Sequence, residues 1–157
     1  MMEVVPIPPF ERFYDAHAGE VLGYLTRLLG RQAGEDAWQE TFLRALRAYP
    51  QLEHGRHLRA WVFTIATRIV LDEHRRARPT AAELPELPSL DGAPAYAELA
   101  PYADDLPATE RAAVVLRYGY DLDYAQIGAA LGSNADAARQ AASSGVRRLR
   151  RILVDSR

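Results

Sequence analysis

Guanidinium groups dominate the chemistry this chain can offer. All 19 of its Lys-plus-Arg residues are arginine, and Arg139, Arg147, Arg148, Arg150 and Arg151 crowd a stretch from Ala135 to Val154 whose one acid is Asp136. A guanidinium forks onto phosphate oxygens and onto the edge of guanine, so this density points to nucleic acid. The absence of lysine itself is read as the codon usage of a GC-rich genome. Histidine is the other candidate: His54 and His57 stand close together, with His17 earlier and Asp72-Glu73-His74 one helix later. Such a set could be imagined around a metal, but there is no His-Glu-x-x-His, no nucleophile elbow and no glycine phosphate loop. With no cysteine, disulfides and thiolate metal sites are excluded. The chain is therefore read as a binding protein, not an enzyme, with no cofactor and no metal.

The arginines need an element to aim them. Tyr124 to Leu131 has Ile127 and Leu131 four apart on one face, a short amphipathic helix. Gly132 follows to end it, and Ser133-Asn134 supply oxygens to cap a second, longer helix from about Ala135 to Val154. Two helices joined by a tight glycine turn, the second basic, form a helix-turn-helix. Upstream, Pro107 leads into a helix reaching Tyr118, with Thr109 as its expected cap.

The first half is also helical. Phe10, Phe13, Tyr14, His17, Val21, Leu25, Leu28 and Leu29 form one stripe, and Gly30 ends it. A second helix is expected to begin at Glu35-Asp36, where carboxylates meet a positive helix end, and to stop at Pro50. Its apolar positions are Ala37, Trp38, Phe42, Ala45, Leu46 and Tyr49. After a polar loop, Gln51 to His57, a third helix runs to about Arg76, with Leu58, Trp61, Val62, Ile65, Ala66 and Ile69 inward. Trp61, on that stripe, is assigned to the core.

Pro79, Pro85, Pro88 and Pro94 mark a stretch of linker composition. The fold expected is all-α: two small helical domains, 1–78 and 97–157, joined by a flexible acidic linker, 79–96, with the helix-turn-helix in the second. The domains are expected to fold independently, unless they pack together in the free protein. A further helical start is expected around Ala95 to Ala103.

Net charge, only −2, conceals this division. Thr80 to Asp105 carries six acids and no arginine, whereas Leu106 to Arg157 carries eight arginines against five acids. The acidic linker masks a basic face. No apolar run reaches the roughly 20 residues of a membrane span, so no membrane insertion is expected. The start has Glu3 and three prolines instead of a basic, then apolar, leader, which suggests a cytoplasmic protein.

Three separated strings resemble one family. Glu35-Asp36-Ala37-Trp38-Gln39-Glu40-Thr41-Phe42-Leu43-Arg44-Ala45-Leu46 is similar to the polymerase-docking helix of bacterial RNA polymerase sigma factors. Leu58 to Arg68, ending in Arg75-Arg76-Ala77-Arg78, is similar to their promoter-melting helix. Leu106 to Arg111, Val114 to Tyr118, Tyr124, Ile127, Leu131-Gly132 and Arg147 to Arg150 resemble their C-terminal helix-turn-helix. Order and spacing match the extracytoplasmic-function (ECF) group, which keeps only these two domains.

The resemblance implies a dissociable subunit whose partners are core RNA polymerase and promoter DNA; it leaves an anti-sigma factor open as a third. By family analogy Asp36, Gln39, Glu40, Phe42 and Arg44 dock on polymerase. His54, Arg56 and His57 fall in the segment that captures a flipped base of the downstream promoter element, and Arg59, Arg68, Arg75 and Arg76 on the helix that melts it. Upstream-element positions are Arg111, Tyr124, Ser133, Asn134, Ala138, Arg139, Gln140, Ser143, Arg147 and Arg148. Among these, Arg139 suits guanine and Gln140 adenine. Ala141, Ser144 and Gly145 depart from the usual basic pattern, and Gly145 costs a helix about 1 kcal/mol relative to alanine. Either fewer phosphates are contacted or this smooth face packs on something else. The alternative is a helix-turn-helix regulator, or a sigma-like protein that acts by protein contact without promoter activity.

Overall fold

Gly30 sets the geometry of the first half. In the computed structural model, which describes residues 4–77 and 106–155, α1 (Phe10–Leu29) ends where Gly30 takes φ 86° and its N–H bonds to Thr26 O. The same residue precedes α2 (Arg31–Ala48). One glycine thus replaces a whole interhelical loop, because a side chain is strained at that φ. As a result α2 begins four residues ahead of Glu35, and neither Glu35 nor Asp36 lies in its first turn. The expected N-terminal dipole role of those carboxylates is corrected.

A 3₁₀ turn, Tyr49–Gln51, with Pro50 inside it, closes α2. A short loop then leads to α3 (Leu58–Ala77). The inward faces of α1, α2 and α3 bury Phe13, Tyr24, Leu25, Phe42, Val62 and Phe63. Each such side chain contributes about 1.5–3 kcal/mol of hydrophobic burial. Polar groups among these side chains are paired where they meet: the Tyr24 hydroxyl and Thr67 Oγ1 lie 2.7 Å apart, and Trp38 Nε1 donates to Ala18 O at 3.0 Å. Leu46, expected inward, is instead 51% exposed.

The second half begins with α4 (Ala108–Val114), entered from Pro107, so Thr109 lies inside the helix and caps nothing. A π-helical turn, Val115–Gly119, extends it. Then α5 (Tyr124–Leu131) is started by Asp123, whose carboxylate accepts from the Gln126 N–H at 2.8 Å while Gln126 Oε1 accepts from the Asp123 N–H at 3.1 Å. Gly132, at φ 74°, makes the tight turn, and Asn134 Oδ1 accepts from the Ala137 N–H at the start of α6 (Ala135–Asp155). The cap is Asn134, and no cap bond to Ser133 is seen.

The two halves share a core. Tyr120 places its ring 5.6 Å from Tyr24 and 5.1 Å from Phe63, and Leu116, Leu122 and Ile127 join the same buried cluster as α1 and α3. In this arrangement the modules are packed together, the exception allowed for in the expectation of independent folding. The linker 79–96 and the helical start around Ala95–Ala103 lie outside the described residues.

Candidate polymerase and nucleic-acid interfaces

On α2, positions 36, 39, 40, 43, 46 and 47 fall at three- and four-residue steps, the spacing of one helix face. Asp36 and Gln39 are exposed, and Glu40 accepts from Arg44 Nε at 2.9 Å. Phe42 departs from this set: it is turned inward against Phe13, Tyr14 and Trp38. Two residues that sequence reasoning missed take its place, Leu43 and Leu46, 47% and 51% exposed. Leu43 lies outside the apolar positions read from the sequence, whereas Leu46 is counted among them and only the packing turns it outward. At its edge, Asp36, Glu40 and Arg44 share a cleft of about 410 Å³ with Asp72, Glu73 and Arg76 of α3.

The loop between α2 and α3 brings His54, Arg56 and His57 together at the mouth of a cleft of about 540 Å³. Trp61, Ala60 and Thr64 form one wall, and Ala125, Gln126 and Ala129 of α5 the other. Trp61 is thus both a core and a cleft residue, since its ring also packs on Phe13 and Tyr49. Polar edges beside an indole face can hydrogen-bond and stack a nucleobase. His74 is no part of this site, because it lies sixteen residue steps along α3 from Leu58, about 24 Å of helix. Among the described residues no group of three His, Asp or Glu is placed to hold a metal ion.

The arginines divide by what they touch. Arg68 is exposed. Arg75 and Arg76 pair loosely with Asp72 and Glu73 at 3.5 and 4.0 Å. Arg59 donates twice to Glu20, at 2.9 and 3.0 Å, and once to Tyr120 O at 2.7 Å, tying α3 to α1 and to the second half. Arg111 donates to Leu28 O at 2.8 Å and Arg27 O at 2.6 Å, two of the carbonyls left open at the end of α1. Its expected phosphate is replaced here by backbone of the other module. Beside Arg59, His17 has a pKa lowered by burial, with Glu20 opposing and Arg59 reinforcing the shift.

On α6, Arg139, Gln140, Ser143 and Arg147 form one exposed stripe. Arg139 pairs with Asp136 at 2.9 Å and lies 5.2 Å from the Tyr124 ring centre, with Arg117 4.8 Å away from the same ring. Ser133 and Asn134 are exposed at the turn, and Ala138 is buried. Arg147 donates to Ser144 Oγ at 3.1 Å, and Arg148 pairs with Glu110 at 2.8 Å. The smooth face has an internal cause. A Cβ on Gly145 would stand 2.5 Å from Val114 Cγ2, so glycine is there to let α6 approach α4. Ala138 and Ala142 are buried on the same side.

Residues 13–80 match the Sigma-70 region 2 family and residues 103–151 match Sigma-70, region 4. The RNA polymerase sigma factor CarQ of Myxococcus xanthus is 30% identical over 154 residues, covering 92% of this chain and 88% of that one. The chain belongs to the ECF group of RNA polymerase sigma factors. Another similar sigma factor, the ECF protein SigE of Mycolicibacterium smegmatis, is 34% identical over 162 residues, covering 94% of this chain. The chain spans 63% of SigE's own length. In fold it resembles the sigma factor RpoE of Bartonella quintana, resolved in complex with the anti-sigma factor NepR, with a TM-score of 0.74 at 20% identity over 94% of this chain and 98% of that one. Both matched regions of this sigma-family chain are helical where described, and no described helix is long and apolar enough to cross a membrane.

Proposed function

We propose that the chain directs core RNA polymerase to a set of promoters and opens them, acting by binding and without catalysis of its own. The observation that carries this reading is the presence, in one chain and in the family order, of an exposed mixed acidic and apolar stripe on α2, a His-Arg-His cleft beside Trp61, and a capped helix-turn-helix. In this reading Asp36, Gln39, Glu40, Leu43, Arg44 and Leu46 meet polymerase. His54, Arg56, His57 and Trp61 receive a base from the melted strand, while Arg68, Arg75 and Arg76 follow its phosphates. Arg139, Gln140 and Ser143 face the upstream element, with Ser133, Asn134, Arg147 and Arg148 along its backbone. The work is done where polymerase is, in the cytoplasm.

The packed arrangement is then a resting form. Arg59 and Arg111 hold the two modules together, and α5 walls the cleft meant for the base. DNA engagement requires that the modules part, which fits a protein that binds promoters only after polymerase has taken it up. An anti-sigma protein is the third proposed partner, in line with the partner of the Bartonella protein of similar fold.

Run-off transcription with purified core polymerase on genomic DNA, followed by start-site mapping, tests the whole reading. Discrete start sites sharing two spaced elements are expected. Absence of any new start site, with the chain bound to core, would establish instead a sigma-like protein acting through protein contact.

A further inference from the structure

The extended segment ahead of α1 has a place that its composition did not suggest. Val4 to Pro9 lies along the loop that carries His54, Arg56 and His57. The Gly55 N–H donates to Val5 O at 2.8 Å. The Tyr49 hydroxyl donates to Pro8 O. The approach is so close that a Cβ on Gly55 would stand 2.2 Å from Pro6 O and 2.9 Å from Pro6 C, both backbone atoms. Phe10, the first residue of α1, sets its ring edge-on to Tyr49 at 5.2 Å.

The loop thus held is not relaxed. His57 sits at φ 57°, a left-handed conformation that a side chain disfavours, and Arg56 donates its N–H to His54 Nδ1 at 3.2 Å. Such a conformation persists only where its surroundings over-determine it. The strap meets this loop at Gly55, two residues before His57, and itself carries Pro6, Pro8 and Pro9, three residues of fixed φ with no N–H to satisfy. A proline-rich segment loses little entropy on being laid down, which makes it an inexpensive splint.

We propose that Val4–Pro9 is a positioning strap that holds the His54-Arg56-His57 loop in its base-receiving shape, with Gly55 and Tyr49 as its two anchor points. The inference deepens the promoter-opening role and rests on it. Strap residues need touch no DNA; they act through the loop, and a site whose supporting shell is loosened by an ångström loses selectivity before it loses its fold.

Three variants and one cycle test this. Holoenzyme assembled from core polymerase and the full chain is presented with a pool of short, sequence-randomised single strands, and retained strands are sequenced. The unaltered chain is expected to enrich a motif. Gly55→Ala, Tyr49→Phe and removal of Met1–Pro8 should each lower that enrichment, the first and last by about tenfold, while affinity for core polymerase stays unchanged. Gly55→Ala should cost nothing further once Met1–Pro8 is removed, because its clash partner has gone; that non-additivity separates a strap contact from ordinary destabilisation. Hydrogen exchange of the Gly55 amide, bonded to Val5 O, should accelerate in the truncated chain whatever the DNA result. Full enrichment by the truncated chain, or an equal Gly55→Ala penalty in both backgrounds, overturns the strap and leaves the sigma-factor reading standing. An unaltered holoenzyme that enriches no motif overturns both.

Discussion

The exposed face of α2 and the arginines of the loop, α3 and α6 surfaces treat their charges differently. Asp36 and Gln39 are exposed, Glu40 is bound to its helical neighbour Arg44, and Leu43 and Leu46 stand half out of the protein beside them. Arg59, Arg111 and Arg148, in contrast, are engaged by other elements of the molecule, on Glu20 and Tyr120, on the α1 carbonyls, and on Glu110. On the proposed reading the α2 face is open to polymerase while Arg59 and Arg111 are engaged within the protein and the α6 stripe of Arg139, Gln140, Ser143 and Arg147 stays exposed, a difference that would set an order of binding. Exposed i,i+4 pairs of the Glu40–Arg44 kind contribute only about 0.3–0.5 kcal/mol and give way easily. Bonds from a guanidinium to carbonyls are worth about 1.5–3 kcal/mol each.

The comparison breaks most visibly at α2. Reversing charge with Asp36→Arg and Glu40→Arg should weaken core-polymerase binding by about 100-fold or more, roughly 3 kcal/mol. Circular dichroism should show an unchanged fold. Native affinity in the folded double variant would remove α2 as the docking face.

A smaller effect is expected on α6. Arg139→Ala should cost about 1–3 kcal/mol of promoter affinity and relax preference at one base position. Arg148→Ala should weaken all sequences alike and flatten the salt dependence. Affinity measured across a salt series, with both variants on matched and mismatched promoters, separates reading from holding. Loss of neither would leave Arg139 as a surface residue paired with Asp136.

Gly145→Ala sharpens the account of the smooth face. Helix propensity alone favours alanine by about 1 kcal/mol, but the new methyl meets Val114 Cγ2 at 2.5 Å. Overpacking of that sort costs about 1–3 kcal/mol, so the melting temperature should fall. A rise would mean that α6 and α4 can separate cheaply.

The smallest effect is at His17. Its folded pKa lies below the ordinary 6.5 because burial disfavours the imidazolium, an effect Arg59 reinforces and Glu20 opposes. The unfolded chain therefore binds the proton first as pH falls. The stability His17 contributes is complete above pH 6.5 and is lost as pH drops toward the folded value. His17→Gln should flatten that part of the stability-against-pH curve, measured by denaturant melts; an identical slope in both proteins would contradict it.

The helices were legible because their stripes are strong: α1, α3 and α5 lie within a residue of where periodicity and Gly132 put them. The start of α2 was not, since carboxylates at 35 and 36 signal a helix start more loudly than a glycine that merely allows a sharp turn. The Asp123–Gln126 capping box was overlooked although its spacing is visible in the chain. Individual side-chain directions were harder. Phe42 and Leu46 are both apolar on one helix, and only three-dimensional packing sends the first inward and leaves the second out. The joins Arg59 and Arg111 make between the two halves had no local signal, because the acceptors, Tyr120 O, Leu28 O and Arg27 O, are backbone atoms of distant residues. Gly145 carried a signal that pointed the wrong way until Val114 was seen beside it.

The shared core around Tyr24, Phe63 and Tyr120 has a consequence in populations. If promoter DNA is bound only by molecules in which that cluster has parted, the apparent dissociation constant is the intrinsic one divided by the fraction parted. At about one parted molecule in 100, every promoter looks about 100-fold weaker to the free chain. A partner that keeps the halves apart restores that factor to all promoters at once, without making a single base contact. On the proposed reading, discrimination among promoters would then fall to the α6 stripe and permission to use any of them to the contacts that join the halves, the three rings with Arg59 and Arg111.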